Sequence, residues 1–389
     1  MKHKPSTTLT PHHPGALLPG PAGGVQSLVD RARLDGESQE DQEIQAAHRL
    51  YEHLIGLWAP GVIEAAHDLG LFTELANGPV SAAEMAKALR TDERATRILL
   101  DALHAYEIVT TVVPADGVAR YAVADRMLPA LLPDGVYSLT GKMSYDRVVA
   151  WRAWRELADA VRNGSHDTTG HDRTNQISET DYESLARGIN FWAPPIVARL
   201  HDWLKGSGWD VQAPARILDV GCGSGLYSQL MLRRSENWRA TGLDAPRIIK
   251  LAEAQAQRLG VADRFSGMVG DFWADEWGGG FDLIFFANIF HLQTAESAAK
   301  LAATAAGSLS ERGLVCIADH IVDDLGPTGS QQDRFALLFA ASMLATGGGD
   351  AYRLSQYDRW LDSAGLKRVG LIDAPMHRIL IATRADNAL

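Results

Sequence analysis

A chain of 389 residues is longer than one ordinary domain, and its content of 46% hydrophobic and 22% charged residues is typical of a globular protein with sizeable cores. Its formal net charge of -11 argues against non-specific binding to nucleic acid or anionic membranes. Two cysteines are too few for a disulfide framework, and no apolar run reaches the roughly eighteen residues of a membrane span, so we expect a cytoplasmic protein.

The chain begins with a segment that predicts no fixed structure, followed by helices. Residues 1–40 are rich in Pro, Gly, Thr and His, and we expect a disordered tail because such a segment buries little apolar surface. Leucines then recur at helical spacing from Leu50 to Leu57. The Pro60-Gly61 pair interrupts this run, and we expect it to separate two helices.

The order of elements in residues 41–135 is that of a winged helix, which we expect to serve in dimerisation. Ser81 and Glu84 form a capping box that predicts the start of one helix, and a second helix follows a polar turn. Two β-type runs at 108–113 and 119–123 surround an Asp-Gly turn, which is typical of a hairpin.

A winged helix also raises the alternative of a transcription regulator. The candidate recognition helix carries Arg94 and Arg97, but three acidic residues lie between positions 92 and 101. DNA readers normally show a clear basic face, and this helix has none. Its leucine stripe between positions 99 and 103 favours a protein interface instead.

Residues 136–209 are predicted to be a helical linker that contributes to a ligand pocket. The segment is unusually aromatic, with a polar loop at 164–170. Singly, each aromatic residue is better explained by core packing, but as a group they indicate a planar or largely apolar ligand. A helix at 331–344 is expected to cap the pocket. The candidate lining residues, two of them from beyond the segment, are Tyr145, Trp151, Trp154, Phe191, Trp192, Phe290 and Met343.

Residues 210–389 alternate between strands and helices. This pattern predicts an α/β fold with a doubly wound, parallel, Rossmann-like sheet of seven strands. The predicted strands are 215–220, 238–243, 265–270, 281–288, 313–319, 369–372 and 379–383.

The first of these strands runs into a glycine-rich turn. Asp219 is followed by Gly221, Gly223 and Gly225, and a helix begins immediately afterwards. Glycines allow backbone conformations and close approaches that a Cβ would forbid, and the helix N-terminus offers unpaired N–H groups. The dinucleotide fingerprint places its third glycine one position later, where this chain has Leu226. An NAD-linked dehydrogenase is therefore disfavoured.

Three further strand ends carry polar residues. Asp244 ends the second strand, where a carboxylate can accept both hydroxyls of an adenosine ribose. Asp271 and Phe272 follow the third strand, where a carboxylate and an aromatic ring can bracket an adenine. Asn288 ends the fourth strand. The carboxyl ends of these strands are expected to form one binding edge.

These four segments, in this order and spacing, resemble the class I S-adenosylmethionine-dependent methyltransferases. With the winged helix in front, residues 45–385 resemble the plant-type and bacterial small-molecule O-methyltransferase family. The resemblance implies S-adenosylmethionine as the cofactor, a homodimer formed through the N-terminal domain, and a small-molecule acceptor of secondary metabolism. It implies these cofactor-binding residues: Asp219, Gly221, Gly223, Gly225, Asp244, Asp271, Phe272 and Asn288.

The same resemblance implies a catalytic pair. In that family a histidine after the fourth strand acts as general base, within a motif resembling Leu-His-Asp-Trp. His291 matches the histidine, whereas Leu292 and Gln293 replace the Asp-Trp. An acid at the end of the fifth strand orients the histidine, and Asp319 fits that position. O-methylation with His291 as the base is the favoured function.

His320 leaves a second mechanism open. Histidine and carboxylate ligands suit zinc or non-haem iron, so His291 and His320 are candidate metal ligands. Consecutive strand residues point to opposite faces, so Asp319 and His320 both reach the pocket only if the strand has ended. A structural role for His320, with no metal, is preferred. A metal would favour C-methylation of a chelating acceptor such as an α-keto acid.

Overall fold

The computed structural model describes residues 39–124, 126–164, 178–274, 276–324, 330–347 and 349–387. The predicted tail and the predicted polar loop lie outside these ranges, apart from residues 39, 40 and 164. The chain divides into two compact units, the first ending at Leu128 and the second beginning at Pro129, seven residues before the expected boundary at 135. Within the described ranges, no helix is long and apolar enough to span a membrane.

The first unit contains five helices among its described residues. They are α1 Gln39–Leu54, α2 Trp58–Asp68, α3 Leu71–Leu75, α4 Ala82–Leu89 and α5 Glu93–Ala105. A short 3-10 turn, Ile55–Leu57, separates the first two. The prediction that Pro60 and Gly61 separate them was wrong. Pro60 is the third residue of α2, where a proline costs no intrahelical hydrogen bond because the first turn has none to lose.

A winged-helix order is confirmed by the strands of this unit. The strands are β1 Val80–Ser81, β2 Val109–Val112 and β3 Arg120–Val123, in the order β1-β3-β2. The β2–β3 hairpin is antiparallel, with Val109 opposite Val123. Ser81 caps α4 in the predicted capping box: its hydroxyl accepts from the Glu84 N–H at 3.2 Å. On α5, Arg97 pairs with Asp101 at 2.6 Å, which reduces the positive charge of that helix.

The second unit begins within a set of short helices. They are α6 Leu128–Leu131, α7 Thr140–Tyr145, α8 Trp151–Arg155, α9 Leu157–Asn163, α10 Glu179–Gly188 and α11 Ala193–Gly206. A π-helical turn, Asp146–Ala150, joins α7 to α8, and such turns are frequent at functional sites. Two glycines let α7 and α10 cross closely. A Cβ at Gly141 would lie 2.1 Å from the Ser184 oxygen, and one at Gly188 would lie 2.1 Å from the Lys142 nitrogen.

A seven-stranded sheet forms the rest of this unit, in the order β6-β5-β4-β7-β8-β10-β9. Its strands are β4 Ala215–Val220, β5 Trp238–Asp244, β6 Phe265–Val269, β7 Phe281–Ala287, β8 Leu309–Asp319, β9 Leu366–Ala374 and β10 His377–Arg384. Its helices are α12 Leu226–Leu232, α13 Pro246–Leu259, α14 Ala295–Ser308, α15 Gln331–Thr346 and α16 Leu354–Ser363.

The sheet is not parallel throughout, which corrects the expectation. Strands β6, β5, β4, β7 and β8 are parallel, whereas β10 is antiparallel to both β8 and β9. Only Pro375 and Met376 connect β9 to β10, and a two-residue connection can join only antiparallel strands. The parallel order reverses between β4 and β7, and ligands bind at such a switch point.

Alternate residues of each strand enter one of two cores. Ile217, Leu283 and Phe285 pack with α11, α12 and α13 on one face. Leu218 and Ile284 pack with α14 and α16 on the other face. Because both faces are covered, the binding edge is left to the strand ends and the loops that follow them.

We expect Gly188→Ala to destabilise the second unit. Its new Cβ would meet backbone atoms of Lys142 at 2.1 Å, and overpacking of this kind costs about 1–3 kcal/mol. Gly206→Ala is the matched control, since no atom lies within 4 Å of its Cβ and alanine favours a helix. Urea denaturation followed by tryptophan fluorescence measures both. Equal midpoints for the two variants would contradict the close crossing.

Candidate functional site

The glycine turn after β4 is held in a conformation that favours glycine. Gly221, Gly223 and Gly225 have φ values of 64°, 54° and 73°. The Gly221 N–H donates to the Leu243 carbonyl at 2.9 Å, which ties the turn to the end of β5. A Cβ at Gly221 would lie 2.5 Å from Cδ1 of Ile289. The turn therefore packs against the loop after β7 with no room for a side chain.

Asp244 at the end of β5 joins this turn directly. Its Oδ2 accepts from the Gly223 N–H at 2.9 Å, and its Oδ1 accepts from the Ala245 N–H at 2.8 Å. Burial raises the pKa of Asp244 to about 6. Two predicted cofactor residues from separate strands are thus in contact. This carboxylate beside a glycine turn suits an adenosyl group, whose ribose hydroxyls would donate to it.

Asp219 lies behind the turn. Its side chain is only 1% exposed and accepts from the Ser228 hydroxyl at 2.6 Å, so it fixes the first turn of α12. Burial raises the pKa of Asp219 to about 7.

The third predicted anchor, Asp271 with Phe272, comes shortly after the end of β6. The ring of half-buried Phe272 is 3.8 Å from the place a Gly221 Cβ would take. Asp271 is exposed, and its Oδ1 accepts from the Trp273 N–H at 2.9 Å. The Phe272 ring therefore stands beside the glycine turn. The contact of Asp271 and Phe272 with an adenine stays a prediction.

His291 and Asp319 form the predicted pair. His291 lies in the 3-10 turn Phe290–Leu292 after β7, and Asp319 is the last residue of the adjacent β8. Nδ1 of His291 lies 2.7 Å from Oδ1 of Asp319, and the two side chains are 6% and 0% exposed. Burial alone would raise the pKa of Asp319, but the charge and hydrogen bond of His291 outweigh it and hold that pKa below its usual value. An ionised carboxylate only accepts hydrogen bonds, so Nδ1 of His291 carries a proton; in the tautomer with a single ring proton, Nε2 holds the lone pair.

β8 ends at Asp319, so the condition for His320 to reach the same pocket is met. The His320 N–H donates to Oδ1 of Asp319 at 2.8 Å, and its ring nitrogen Nδ1 donates to the Met376 carbonyl at 2.9 Å. The His291 and His320 rings are 5.6 Å apart. Burial, followed by the charges of His377 and His291, holds the pKa of His320 well below its usual value, so its ring is neutral.

His377, the first residue of β10, is a site residue that the sequence analysis missed. Its ring lies 4.3 Å from that of His320, and its Nε2 is in hydrogen-bond contact with Oδ1 of Asn288 at 2.8 Å. Asn288 has a φ of 60° and donates from Nδ2 to the Tyr227 hydroxyl at 3.2 Å. Burial lowers the pKa of His377 to about 4, so this chain of side chains is neutral at pH 7. No local signal marked His377, because its contacts depend on antiparallel pairing.

Aromatic rings surround these histidines. Trp192 lies edge-on at 5.6 Å from His320 and 5.0 Å from His377. From α15, Phe339 lies 3.9 Å from His320 and 4.9 Å from His291. Phe335 and Phe339 were also missed, although their spacing of four residues places both on one face of α15.

A buried ion pair anchors α15 beside β10. Nη1 of Arg378 lies 2.6 Å from Oδ1 of Asp333, and the same nitrogen donates to the Ile321 carbonyl at 2.7 Å. Both side chains are almost fully buried. The pair fixes the first turn of α15, and with it the position of Phe335 and Phe339.

The other predicted lining residues are distributed unevenly. Tyr145 and Met343 are buried, Trp151 is half-buried, and Trp154 and Phe191 are 45% and 36% exposed. α15, which carries Met343, packs against the π-helical turn, α8 and α9. Phe290 lies elsewhere: its ring is in the core beside α16, 5.2 Å from Phe286 and 5.7 Å from Tyr357.

The cluster also offers metal ligands. One ligand atom each from His291, Asp319 and His320 lies within 4.8 Å of the others, and no other such group of three is present in the described part of the chain. A metal there would compete with the hydrogen bond between His291 and Asp319.

Comparisons with known proteins agree with this geometry. A family model for the O-methyltransferase dimerisation domain matches residues 51–127, and one for a methyltransferase domain matches residues 217–313. The chain is 28% identical to 3-hydroxy-5-methyl-1-naphthoate 3-O-methyltransferase of Streptomyces sahachiroi, over 81% of this chain and 88% of the relative. It is 24% identical to mitomycin biosynthesis 6-O-methyltransferase of Streptomyces lavendulae, over 83% and 89%.

The fold is also shared with solved structures. Human N-acetylserotonin methyltransferase in complex with S-adenosylmethionine superimposes with a TM-score of 0.73 and 21% identity. The superposition covers 90% of this chain and 99% of that one. The class I methyltransferase fold predicted from the glycine turn is therefore confirmed.

We expect the affinity for S-adenosylhomocysteine to fall as the pH drops below about 6. The pKa of buried Asp244 is about 6 in the free protein, and two ribose hydroxyls donate more strongly to its ionised form than to its protonated form. Binding at acidic pH must therefore release a proton, which calorimetry in buffers of different ionisation enthalpy detects. Asp244→Asn should bind more weakly and lose this pH dependence. A wild-type affinity independent of pH between 5 and 7 would contradict the assignment.

Proposed function

We propose that this chain, an S-adenosylmethionine-dependent methyltransferase with an O-methyltransferase dimerisation domain, methylates a hydroxyl oxygen of a small aromatic acceptor of secondary metabolism, with His291 as the general base. The observation that carries this proposal is the buried contact between Nδ1 of His291 and Asp319. It leaves Nε2 as the atom able to accept a proton.

S-adenosylmethionine supplies a methyl group that is already activated as a sulfonium. Its methionyl and adenosyl parts would be held by the glycine turn, Asp244 and Phe272. The protein's remaining tasks are to align the acceptor and to remove its hydroxyl proton. His291 takes that proton on Nε2, and the ionised Asp319 stabilises the resulting imidazolium. Asp319 is itself held by the backbone N–H groups of His291 and His320, at 3.1 and 2.8 Å.

The surroundings of His291 support an aromatic acceptor. Phe339 and Trp192 offer ring surfaces beside the histidines, and such rings pack favourably against a planar ligand. The two Streptomyces relatives are named for methylation of a naphthoate and for a step of mitomycin biosynthesis.

We propose that the enzyme works as a homodimer through its first unit. α1, the 3-10 turn after it and the start of α2 expose large apolar residues that the unit itself leaves uncovered, and large patches of this kind mark interaction sites. With their exposed fractions they are Leu50 65%, Tyr51 50%, Leu54 69%, Leu57 59% and Trp58 49%. We place the enzyme in the cytoplasm, a reducing compartment with which the two free, buried cysteines agree.

Metal-assisted C-methylation is the second candidate, and the ligand cluster of His291, Asp319 and His320 favours it. Metal analysis of the purified protein separates the two candidates. A stoichiometric metal that is lost in both His291→Ala and His320→Ala would support C-methylation of a chelating acceptor. Full O-methylation activity in the presence of EDTA would support the first candidate.

We expect His291→Ala to lower kcat for a phenolic acceptor by about 10²–10⁴-fold, the usual contribution of a general base. Asp319→Asn should cause a loss of similar size, because its amide nitrogen would favour the wrong tautomer of His291. Steady-state transfer of labelled methyl from S-adenosylmethionine measures both. His201→Ala is the control, since it removes a buried histidine that contacts Ser235 instead.

Calorimetric binding of S-adenosylhomocysteine should persist in both catalytic variants. Wild-type activity in His291→Ala would refute the general-base role. A wild-type protein unable to bind S-adenosylhomocysteine would refute the proposed function as a whole.

A further inference from the structure

Two buried polar groups of the described chain, both near the catalytic pair, make no hydrogen bond, and the proposed mechanism uses neither of them. Within the described residues, Nε2 of His320 and Nε1 of Trp192 are buried and make no hydrogen bond. A buried polar group without a hydrogen bond destabilises the fold, and these two groups lie on contacting rings beside the catalytic pair, where a ligand could satisfy both. Their rings are in edge-on contact at 5.6 Å.

The chemical character of each group is determined by its surroundings. Nδ1 of His320 faces the Met376 carbonyl, which only accepts hydrogen bonds, so Nδ1 holds the proton. In the tautomer that carries its single ring proton on Nδ1, Nε2 is left as a lone-pair acceptor to which no group in the described part of the chain donates. The Trp192 indole N–H can only donate. An acceptor and a donor on adjacent rings together match a hydroxyl group, which both donates and accepts.

The position of this pair relates it to the reacting group. The His320 ring lies 5.6 Å from the ring of His291, and Phe339 packs against both. A planar molecule that places one hydroxyl at His291 therefore brings a neighbouring substituent of the same ring towards His320. A hydrogen or a methoxy group there would leave the His320 lone pair without a donor.

We propose that His320, assisted by Trp192, binds a second hydroxyl of the acceptor beside the hydroxyl that His291 deprotonates. His320 is thereby a specificity-determining residue: it selects aromatic acceptors with two neighbouring hydroxyl groups over those with one. The inference rests on the proposed function, because it requires the acceptor to lie against His291. It adds a recognition step that the transfer chemistry itself does not need.

The test compares each diol with its mono-hydroxy counterpart. Catechol is paired with phenol, and 2,3-dihydroxynaphthalene with 2-naphthol, on the full-length protein with bound S-adenosylhomocysteine and EDTA. Calorimetry or saturation-transfer NMR gives the dissociation constants. The wild type should prefer each diol about tenfold, the factor for one satisfied buried hydrogen bond.

His320→Leu should reduce this ratio to about one, and His320→Gln, which keeps an acceptor oxygen, should retain part of it. His201→Leu is the matched control, a buried histidine elsewhere in the same unit whose loss should leave the ratio unchanged.

Three outcomes overturn the inference: equal affinities in the wild type, failure of both diols to bind, or a preference that survives in His320→Leu. A diol preference that appears only after Zn²⁺ or Fe²⁺ is added also overturns it, because the histidines would then bind a metal. Failure to bind S-adenosylhomocysteine, in contrast, refutes the proposed function. Slow methylation of 2-naphthol without any diol preference keeps that function and removes only the role of His320.

Discussion

Asp319 has no exposed surface, and its negative charge is tolerated because three donors surround it: the His291 ring and the backbone N–H groups of His291 and His320. A buried charge without such partners would be prohibitively costly. The contacts of Asp319 also determine the shape of the backbone and the state of the neighbouring histidines. They set the path of the loop after β7 and the tautomer of His291, and they make the chain leave β8 where His320 can enter the pocket.

The first residues of β10, together with Met376 just before them, complete this arrangement from the opposite direction. Because β10 runs antiparallel to β8, its first residues lie beside the last residues of β8, with Arg378 opposite Asp319. The Met376 carbonyl therefore reaches His320, His377 reaches Asn288, and Arg378 anchors α15 through Asp333. The connection before β10 thus sets the tautomer of His320, and β10 itself places the helix α15, whose aromatic rings cover that histidine.

The half of the binding edge at the ends of β4 and β5 is held mainly by backbone interactions. The turn after β4 is shaped by glycine conformations and by hydrogen bonds to the end of β5, so its geometry is mostly backbone. Asp244 joins the two strands there through the Gly223 N–H. The site therefore combines a cofactor side built from backbone turns with an acceptor side built from side chains. Exchange of aromatic residues on the acceptor side would leave the cofactor side intact.

Local rules were sufficient to predict much of this protein from its sequence. Glycine spacing, a capping box and acids at strand ends act over a few residues, so they identified the turn at Gly221, the cap at Ser81 and Asp244. The pairing of His291 with Asp319 was implied by the resemblance to the O-methyltransferase family, and the structure shows the two side chains in contact. Contacts that depend on pairing between distant parts of the chain could not be predicted from the sequence in this way. Only the tertiary structure brought His377 and Phe339 to the site and placed Phe290 in the core. The direction of a strand and the packing of α15 are decided by the burial of the whole sheet, and not by neighbours in sequence.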